Sequence, residues 1–160
     1  MYNDHNILIF DYKFNYDIIE SYWDNHEDNF AGYTDPRIDG DWDHWQIARL
    51  EMFDYAQEIC DTFKIQNGRP RFYILKADTT LVMHKDYNTT CSLNICLSDD
   101  NAPVNFEDNS YTYKTAILNT SNNHGVVNGP NDRRILKISI FDQTYEEVCN
   151  NIKGILNAHN

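Results

Sequence analysis

Hydrophobic and polar residues alternate with a period of two along the second half of the chain. The alternation predicts seven short strands, at 71–76, 79–86, 90–97, 104–106, 111–118, 124–128 and 133–141. The segments between them are rich in Asp, Asn, Ser and Gly, which are turn residues. Seven short strands at this spacing are typical of a sandwich, a barrel or a jelly roll, and we expect a mainly β fold of the jelly-roll type.

The first half of the chain follows a helical pattern, apart from an apolar strand at 7–10. One helix is predicted over 17–29, where apolar residues recur on a single face. A second helix is predicted from Asp43, as an N-cap with Gln46 at its third position, as far as Phe63. We therefore expect mostly helical support before the strands begin.

The end of the chain carries a helix signal. Thr144 and Glu147 have the spacing of a capping box, and apolar residues follow at helical intervals. With no repeat or linker in the sequence, we expect one domain: helical support over 1–70, a β core over 71–141 and a C-terminal helix over 142–160.

Composition narrows the possible partners. Of the 160 residues, 25 are acidic and 13 basic, which gives a net charge of −12. That charge argues against nucleic acid or an anionic membrane as the main partner. No run approaches the roughly 18 apolar residues of a membrane span, the start lacks the basic flank of a signal peptide, and the four cysteines show no C-x-x-C spacing. We expect a cytoplasmic protein with reduced thiols.

A His-x-Asp sequence at the end of a predicted strand is the first candidate for metal binding. His84 and Asp86 are two residues apart, so on a strand they lie on the same face and can bind one ion. A second His-x-Asp, at 26–28, falls at the end of a predicted helix, where residues two apart point in nearly opposite directions. Only the first pair therefore makes a good chelate.

A third ligand is available in His124, which begins a later predicted strand. A jelly roll would bring that position beside the end of an earlier strand. Two histidines and one carboxylate on one side of an ion leave its other positions open, as in non-haem Fe(II) oxygenases. The sequence thus predicts a metal site built by His84, Asp86 and His124.

Arg134 is the candidate for binding an anion near that metal. It lies ten residues after His124 and shares a strand face with Leu136, Ile138 and Ile140. We therefore expect Arg134 to point into the apolar interior, where a guanidinium is costly unless it is paired. A bound carboxylate would pair it, although a structural carboxylate such as Asp132 or Glu107 is the alternative. Arg133, on the opposite face, is expected to be solvated.

Together these residues resemble the Fe(II)/2-oxoglutarate-dependent dioxygenases, which have a double-stranded β-helix. The resemblance covers roughly 71–141 and consists of His-x-Asp, a His 38 residues later and an Arg ten residues after that. With Val126 and Asn128 following the second histidine, the segment is most similar to the aspartyl/asparaginyl β-hydroxylase branch, and next to prolyl hydroxylases.

The resemblance implies a role for each matched position. The iron ligands would be His84, Asp86 and His124. Arg134 would bind the distal carboxylate of 2-oxoglutarate, and Asn94 and Tyr73 would contact this co-substrate. The implied activity is hydroxylation of a side chain in a peptide, protein or amino acid with O2, giving succinate and CO2 as co-products.

Two other classes remain open from the sequence. One is a cupin-like metal enzyme that does not use 2-oxoglutarate, such as an isomerase. The other is a non-catalytic β-helix module that binds a partner. A buried arginine near the metal favours the oxygenase, since neither rival needs one. The acidic surface suggests a neutral or basic target.

Overall fold

Two antiparallel β-sheets form the centre of the protein. The computed structural model describes residues 1–33, 44–99 and 101–159. Sheet A has eight strands in the order β1-β2-β10-β7-β12-β5-β4-β3, and sheet B has four in the order β6-β11-β8-β9. From β4 onward the chain passes repeatedly between the two sheets, which is the connectivity of a jelly roll.

The strand bounds follow the predicted alternation closely. Sheet A contains β1 (Tyr2–Asn3), β2 (Ile7–Ile9), β3 (Ala31–Gly32), β4 (Trp45–Arg49), β5 (Arg69–Leu75), β7 (Cys91–Cys96), β10 (Thr115–Leu118) and β12 (Arg133–Ile140). Sheet B contains β6 (Thr80–His84), β8 (Val104–Phe106), β9 (Ser110–Tyr111) and β11 (His124–Val127). The segment predicted as one strand over 111–118 is divided between β9 and β10, one in each sheet.

Helices cover the outer face of sheet A. They are α1 (Tyr16–Asp24), α2 (Asp54–Phe63) and α3 (Tyr145–Ala158), and a short 3-10 helix (Glu27–Asn29) follows α1. The capping box at α3 is confirmed: the Thr144 side chain accepts a hydrogen bond from the Glu147 backbone, and Glu147 accepts one in return. None of the helices in the described ranges is long and apolar enough to cross a lipid bilayer.

The predicted helix from Asp43 is wrong in its first half. Trp45–Arg49 forms β4, which pairs with β5 so that Ile47 lies opposite Tyr73, and the helix begins only at Asp54. Pairing with a buried neighbour outweighs the weak helical pattern of this segment. Asp43 itself lies outside the described residues. The described part of the first 70 residues thus contributes β1 to β4 and the start of β5 to sheet A, as well as two α-helices.

The two faces of sheet A contact different partners, and β12 shows this residue by residue. Leu136, Ile138 and Ile140 lie on the helix-covered face, in a core with residues of all three α-helices. Arg133, Ile135, Lys137 and Ser139 lie on the cavity face, which looks toward sheet B. The residues alternate because successive side chains of a strand point to opposite faces.

A β-bulge bends the edge strand of sheet B. His124 pairs with His84 and Val126 pairs with Leu81, so Val82 and Met83 of β6 together face the single residue Gly125. A Cβ on Gly125 would lie 2.6 Å from the Leu81 carbonyl oxygen, a contact that only glycine avoids. The extra residue allows Leu81 and His84 both to face the interior, as bulges near functional sites often do.

Candidate metal centre

Three side chains from separate segments converge at one end of the cavity between the sheets. His84 ends β6, Asp86 follows it, and His124 begins β11 directly opposite His84. One ligand atom from each lies within 4.8 Å of the other two. The Nε2 atoms of both histidines are 3.2 Å from Oδ1 of Asp86. The structure therefore brings together the three residues that the sequence predicted as ligands.

Backbone contacts orient both imidazoles for metal binding. Nδ1 of His84 donates to the Val82 carbonyl at 2.7 Å, and Nδ1 of His124 donates to the Asn122 carbonyl at 2.8 Å. A carbonyl only accepts hydrogen bonds, so the proton must be on Nδ1 in both rings. The Nε2 lone pairs are then available at the convergence point, which is the arrangement that metal-binding histidines use.

The two carboxylate oxygens of Asp86 have different partners, and one of these partners is a lysine. Its Oδ1 faces the histidines, and its Oδ2 accepts a 2.5 Å hydrogen bond from Nζ of Lys137. Burial alone would raise the pKa of Asp86, but the Lys137 ammonium and the imidazoles outweigh it and hold this pKa well below its ordinary value. The carboxylate is thus ionised and presents one oxygen toward the histidines.

Lys137 stays charged in spite of its position inside the protein. Burial acts to lower its pKa, but the Asp86 carboxylate raises the pKa above the ordinary value for lysine. The ammonium also lies 5.2 Å from the centre of the Tyr73 ring. Lys137 therefore supplies a fixed positive charge beside the candidate metal ligands.

The cavity that holds these groups has a volume of about 100 Å³ and lies between the cavity face of sheet A and sheet B. Apolar side chains such as Leu81, Val126 and Ile135 line part of its wall. Polar lining residues project from the strands of sheet A or from the segment before β10, among them Arg71, Ser92, Asn94, Tyr113, Arg133 and Lys137. A small apolar chamber with a few fixed polar groups is typical of a ligand site.

Arg133 is the buried cation of this chamber, not Arg134. It is 2% exposed, and its guanidinium donates to the Ala102 carbonyl at 2.6 Å and to the Tyr113 hydroxyl at 3.1 Å. Among the described residues its Nε has no hydrogen-bond partner. A buried donor without a partner is costly, so this atom is a candidate contact for a bound anion. The expectation that Arg133 is solvated is wrong.

Arg134 points to the other side of sheet A. Its guanidinium pairs with Glu20 of α1 at 2.7 Å and lies 4.3 Å from the centre of the Trp23 ring. The expectation that it enters the same interior as the metal ligands is therefore wrong. The physical reason is that sheet A is covered on both faces, so its more apolar face contacts helices and the mixed face lines the cavity. Neither Asp132 nor Glu107 is its partner.

Asn94 and Tyr73 both line the cavity. Asn94 donates to the Tyr113 hydroxyl at 3.1 Å and accepts from Ser92 at 2.8 Å. Tyr73 stacks on Trp45 with their ring centres 4.7 Å apart. Contact of either residue with a co-substrate stays a prediction.

Lys137 and Tyr113 were missed from the sequence. The alternation of the strand puts Lys137 on the same face as Arg133 and Ile135, and this could have identified it as a site residue. The apolar residues of β12 instead favoured the opposite face. Tyr113 fell inside the strand predicted over 111–118, but nothing in that pattern marked it as a polar group of the cavity; in the structure it lies between β9 and β10. Burial raises the pKa of the Tyr113 phenol, so the side chain stays a neutral hydroxyl beside Arg133.

The fold is a double-stranded β-helix, and solved structures superpose on this chain. A Pseudomonas putida prolyl-4-hydroxylase superposes with a TM-score of 0.63 at 10% identity, covering 87% of this chain and 94% of the other. A Trichoplax adhaerens prolyl hydroxylase, solved with a peptide fragment of the hypoxia inducible factor oxygen degradation domain, gives 0.62 at 11% identity, covering 84% and 80%.

The comparisons define the fold and leave the finer assignment open. No protein-family model matches the chain, and no curated protein matches it in sequence. At identities this low, structural similarity shows the fold alone. Both structures are prolyl hydroxylases, so the aspartyl/asparaginyl β-hydroxylase branch that the sequence suggested stays a prediction.

Proposed function

We propose that this protein is an Fe(II)- and 2-oxoglutarate-dependent dioxygenase that hydroxylates a side chain of a peptide, protein or amino acid. The observation that carries the proposal is the convergence of His84, Asp86 and His124 in a chamber that also contains the buried Arg133. Two imidazoles and one carboxylate suit Fe(II) and leave positions free on one side of the ion. Iron, when bound, would supply the redox chemistry that couples O2 to oxidation of 2-oxoglutarate.

Arg133 is the residue that we assign to the distal carboxylate of 2-oxoglutarate, in place of Arg134. The support is its burial, its position in the chamber and its unpartnered Nε. The Tyr113 hydroxyl and the Asn94 amide, which are linked to each other and to Arg133, would complete a polar end for the co-substrate. A guanidinium suits this task because its donors match the geometry of a carboxylate.

Lys137 has a different task in this proposal. By holding Oδ2 of Asp86, it keeps the carboxylate from binding the metal through both oxygens, so that a position stays free for co-substrate. The apolar wall around the chamber excludes water from the reacting groups. The peptide bound to the Trichoplax adhaerens enzyme supports a peptide or protein as the class of substrate.

The first test is binding of Fe(II) and 2-oxoglutarate without O2. The chelated keto acid should give a weak visible charge-transfer band, and O2 should then produce succinate. A matched pair of variants sharpens the result. Arg133→Gln should weaken 2-oxoglutarate binding about tenfold or more, because a hydrogen bond to a charged group contributes roughly 1.5–3 kcal/mol. Arg134→Gln should leave it unchanged. The opposite outcome, or no binding at all, would refute the assignment.

Metal substitution separates the oxygenase from a cupin-like enzyme without redox chemistry. Zn(II), Ni(II) or Co(II) should bind at least as tightly as Fe(II) on the general order of divalent affinities. None of them should support succinate release. Full turnover with zinc would rule out the redox reaction and favour the cupin-like alternative.

A further inference from the structure

Three arginines cluster on the cavity face of sheet A beside the candidate metal centre. Arg49 of β4 pairs directly with Arg71 of β5, and Arg69 lies two residues before Arg71 on the same strand face. Arg71 lines the cavity, while Arg49 and Arg69 are exposed. We call Arg49, Arg69 and Arg71 the arginine patch. The patch continues the polar lining of the cavity onto the protein surface.

The arginine patch concentrates positive charge that the described residues do not neutralise. Arg71 lies between two cations, since it is paired in register with Arg49 on one side and with Lys137 on the other. Like charges directly opposite each other destabilise a sheet. Lys137 is neutralised by Asp86, but within the described residues no ion pair is formed by any arginine of the patch. Arg69 instead lies over the Phe141 ring.

This placement is not expected from the acidic composition of the chain, which by itself suggested a neutral or basic target. Three of its six arginines are in the patch, although carboxylates outnumber basic side chains 25 to 13. Two other cations of the described structure do form ion pairs with carboxylates: Arg134 with Glu20 and Lys137 with Asp86. Within the described residues, the three arginines thus lie together beside a ligand cavity without an ion pair, and an anionic ligand that binds from outside would neutralise them.

We propose that the arginine patch binds an acidic segment of a peptide substrate, next to the side chain that enters the cavity. This inference rests on the proposed function. An extended peptide places alternate side chains on one side at a repeat of roughly 7 Å, which is also the spacing of alternate residues such as Arg69 and Arg71 along β5. Carboxylates at every second position would match the patch. A nucleic acid fits less well, because the net charge of −12 repels a long polyanion.

The experiment measures binding of fluorescein-labelled peptides to the full chain by anisotropy. The probe is a peptide of about eight residues that alternates Glu with Thr, which keeps it extended. Matched peptides with Gln or Lys in place of Glu, and a single-stranded oligothymidylate, serve as comparisons. At about 0.1 M salt the screening length is roughly 10 Å, so the patch outweighs distant carboxylates. The Glu peptide should bind most tightly, and binding should weaken as salt rises.

Variants then assign the binding to the patch. The double substitution Arg49→Gln with Arg71→Gln should weaken the Glu peptide about tenfold or more. The control is Lys13→Gln, which removes one charge from an exposed residue between β2 and α1, outside the cavity lining, and should change little. Arg71→Glu should shift the preference toward the Lys peptide. Circular dichroism melts check that each variant is folded.

The outcomes separate this inference from the proposed function. Equal binding of the Glu and Gln peptides, equal binding by the double variant, or tighter binding of the oligothymidylate would each overturn the peptide-docking inference. None of these measurements requires iron or turnover. If the Glu peptide binds through the patch but 2-oxoglutarate is neither bound nor consumed, the oxygenase proposal fails and only the recognition of acidic peptides remains.

Discussion

The two faces of β12 have opposite surroundings: one packs against helices and the other lines the cavity. On the helix-covered face, Leu136, Ile138 and Ile140 are completely buried among other apolar side chains. On the cavity face, charged and apolar residues alternate around a small chamber. In this protein, the most apolar face of the strand is the one on which helices pack, whereas the mixed face lines the candidate ligand site.

The adjacent residues Leu136 and Lys137 lie on opposite faces of β12 and show this difference. Both side chains are buried, but Leu136 contributes by contact with apolar neighbours and Lys137 by its charge on Asp86. Substitutions at these two positions should therefore differ in whether a metal ion changes their effect.

Lys137→Met should lower the free energy of unfolding of the metal-free protein by about 4 kcal/mol, because it leaves the Asp86 carboxylate buried without its partner. A divalent ion would restore a positive charge beside Asp86, so the loss should be smaller with metal. Thermal melts with and without Zn(II) measure both values. Equal destabilisation in the two conditions would mean that the Lys137 charge does not act on the metal ligands.

Leu136→Ala should cost about 3 kcal/mol by opening a cavity on the helix-covered face. Here the loss should be the same with and without Zn(II), since Leu136 lies on the helix-covered face and does not line the cavity of the candidate metal ligands. Chemical denaturation of the two forms tests this directly. A loss that depends on metal would show that the two faces of sheet A are coupled.

Gly125→Ala should cost about 2 kcal/mol, because the added methyl group would press on the backbone of β6 and not on a movable side chain. The shift of β6 should also displace His84, so metal affinity should fall together with stability. Gly129→Ala is the matched control, because a Cβ there meets nothing within 4 Å. Isothermal titration with Zn(II) compares the two variants. Unchanged affinity in Gly125→Ala would contradict the role of the bulge.

Arg134→Gln should have the smallest effect, under about 1 kcal/mol, because the Glu20 pair is partly exposed and screened by solvent. Metal and 2-oxoglutarate binding should both be unchanged. Urea denaturation and the titrations already described measure these quantities. A large loss of 2-oxoglutarate binding would show that Arg134 takes part in binding this co-substrate.

Much of the architecture could be predicted from local patterns. Six of the seven strand segments after residue 70, the strand at 7–10 and the capping box of α3 are confirmed, and the three predicted ligands come together. The seventh segment, 111–118, is divided between β9 and β10. Each confirmed feature depends on periodicity or on side chains close in sequence. Predicting that His124 joins His84 and Asp86 also required the jelly-roll topology, in which a later strand returns beside an earlier one.

The errors arose where distant partners decide the outcome. Trp45–Arg49 is a strand because β5 pairs with it, and no local signal reveals that pairing. Arg133 and Arg134 are adjacent, so their roles depend on which face of sheet A the helices cover. Periodicity distinguishes the two faces of a strand but does not say which one meets the second sheet. That choice is made by tertiary packing.

The bulge in β6 helps to keep the protein from aggregating through an exposed strand edge. Three of the four outermost strands that the structure describes in the two sheets, β1, β3 and β9, have only two residues each, which leaves little backbone for another chain to join. β6 is longer, and two exposed apolar side chains, Val82 and Met83, lie on it. Its irregular backbone interrupts the row of free amide and carbonyl groups just at these residues, and so opposes strand-to-strand aggregation.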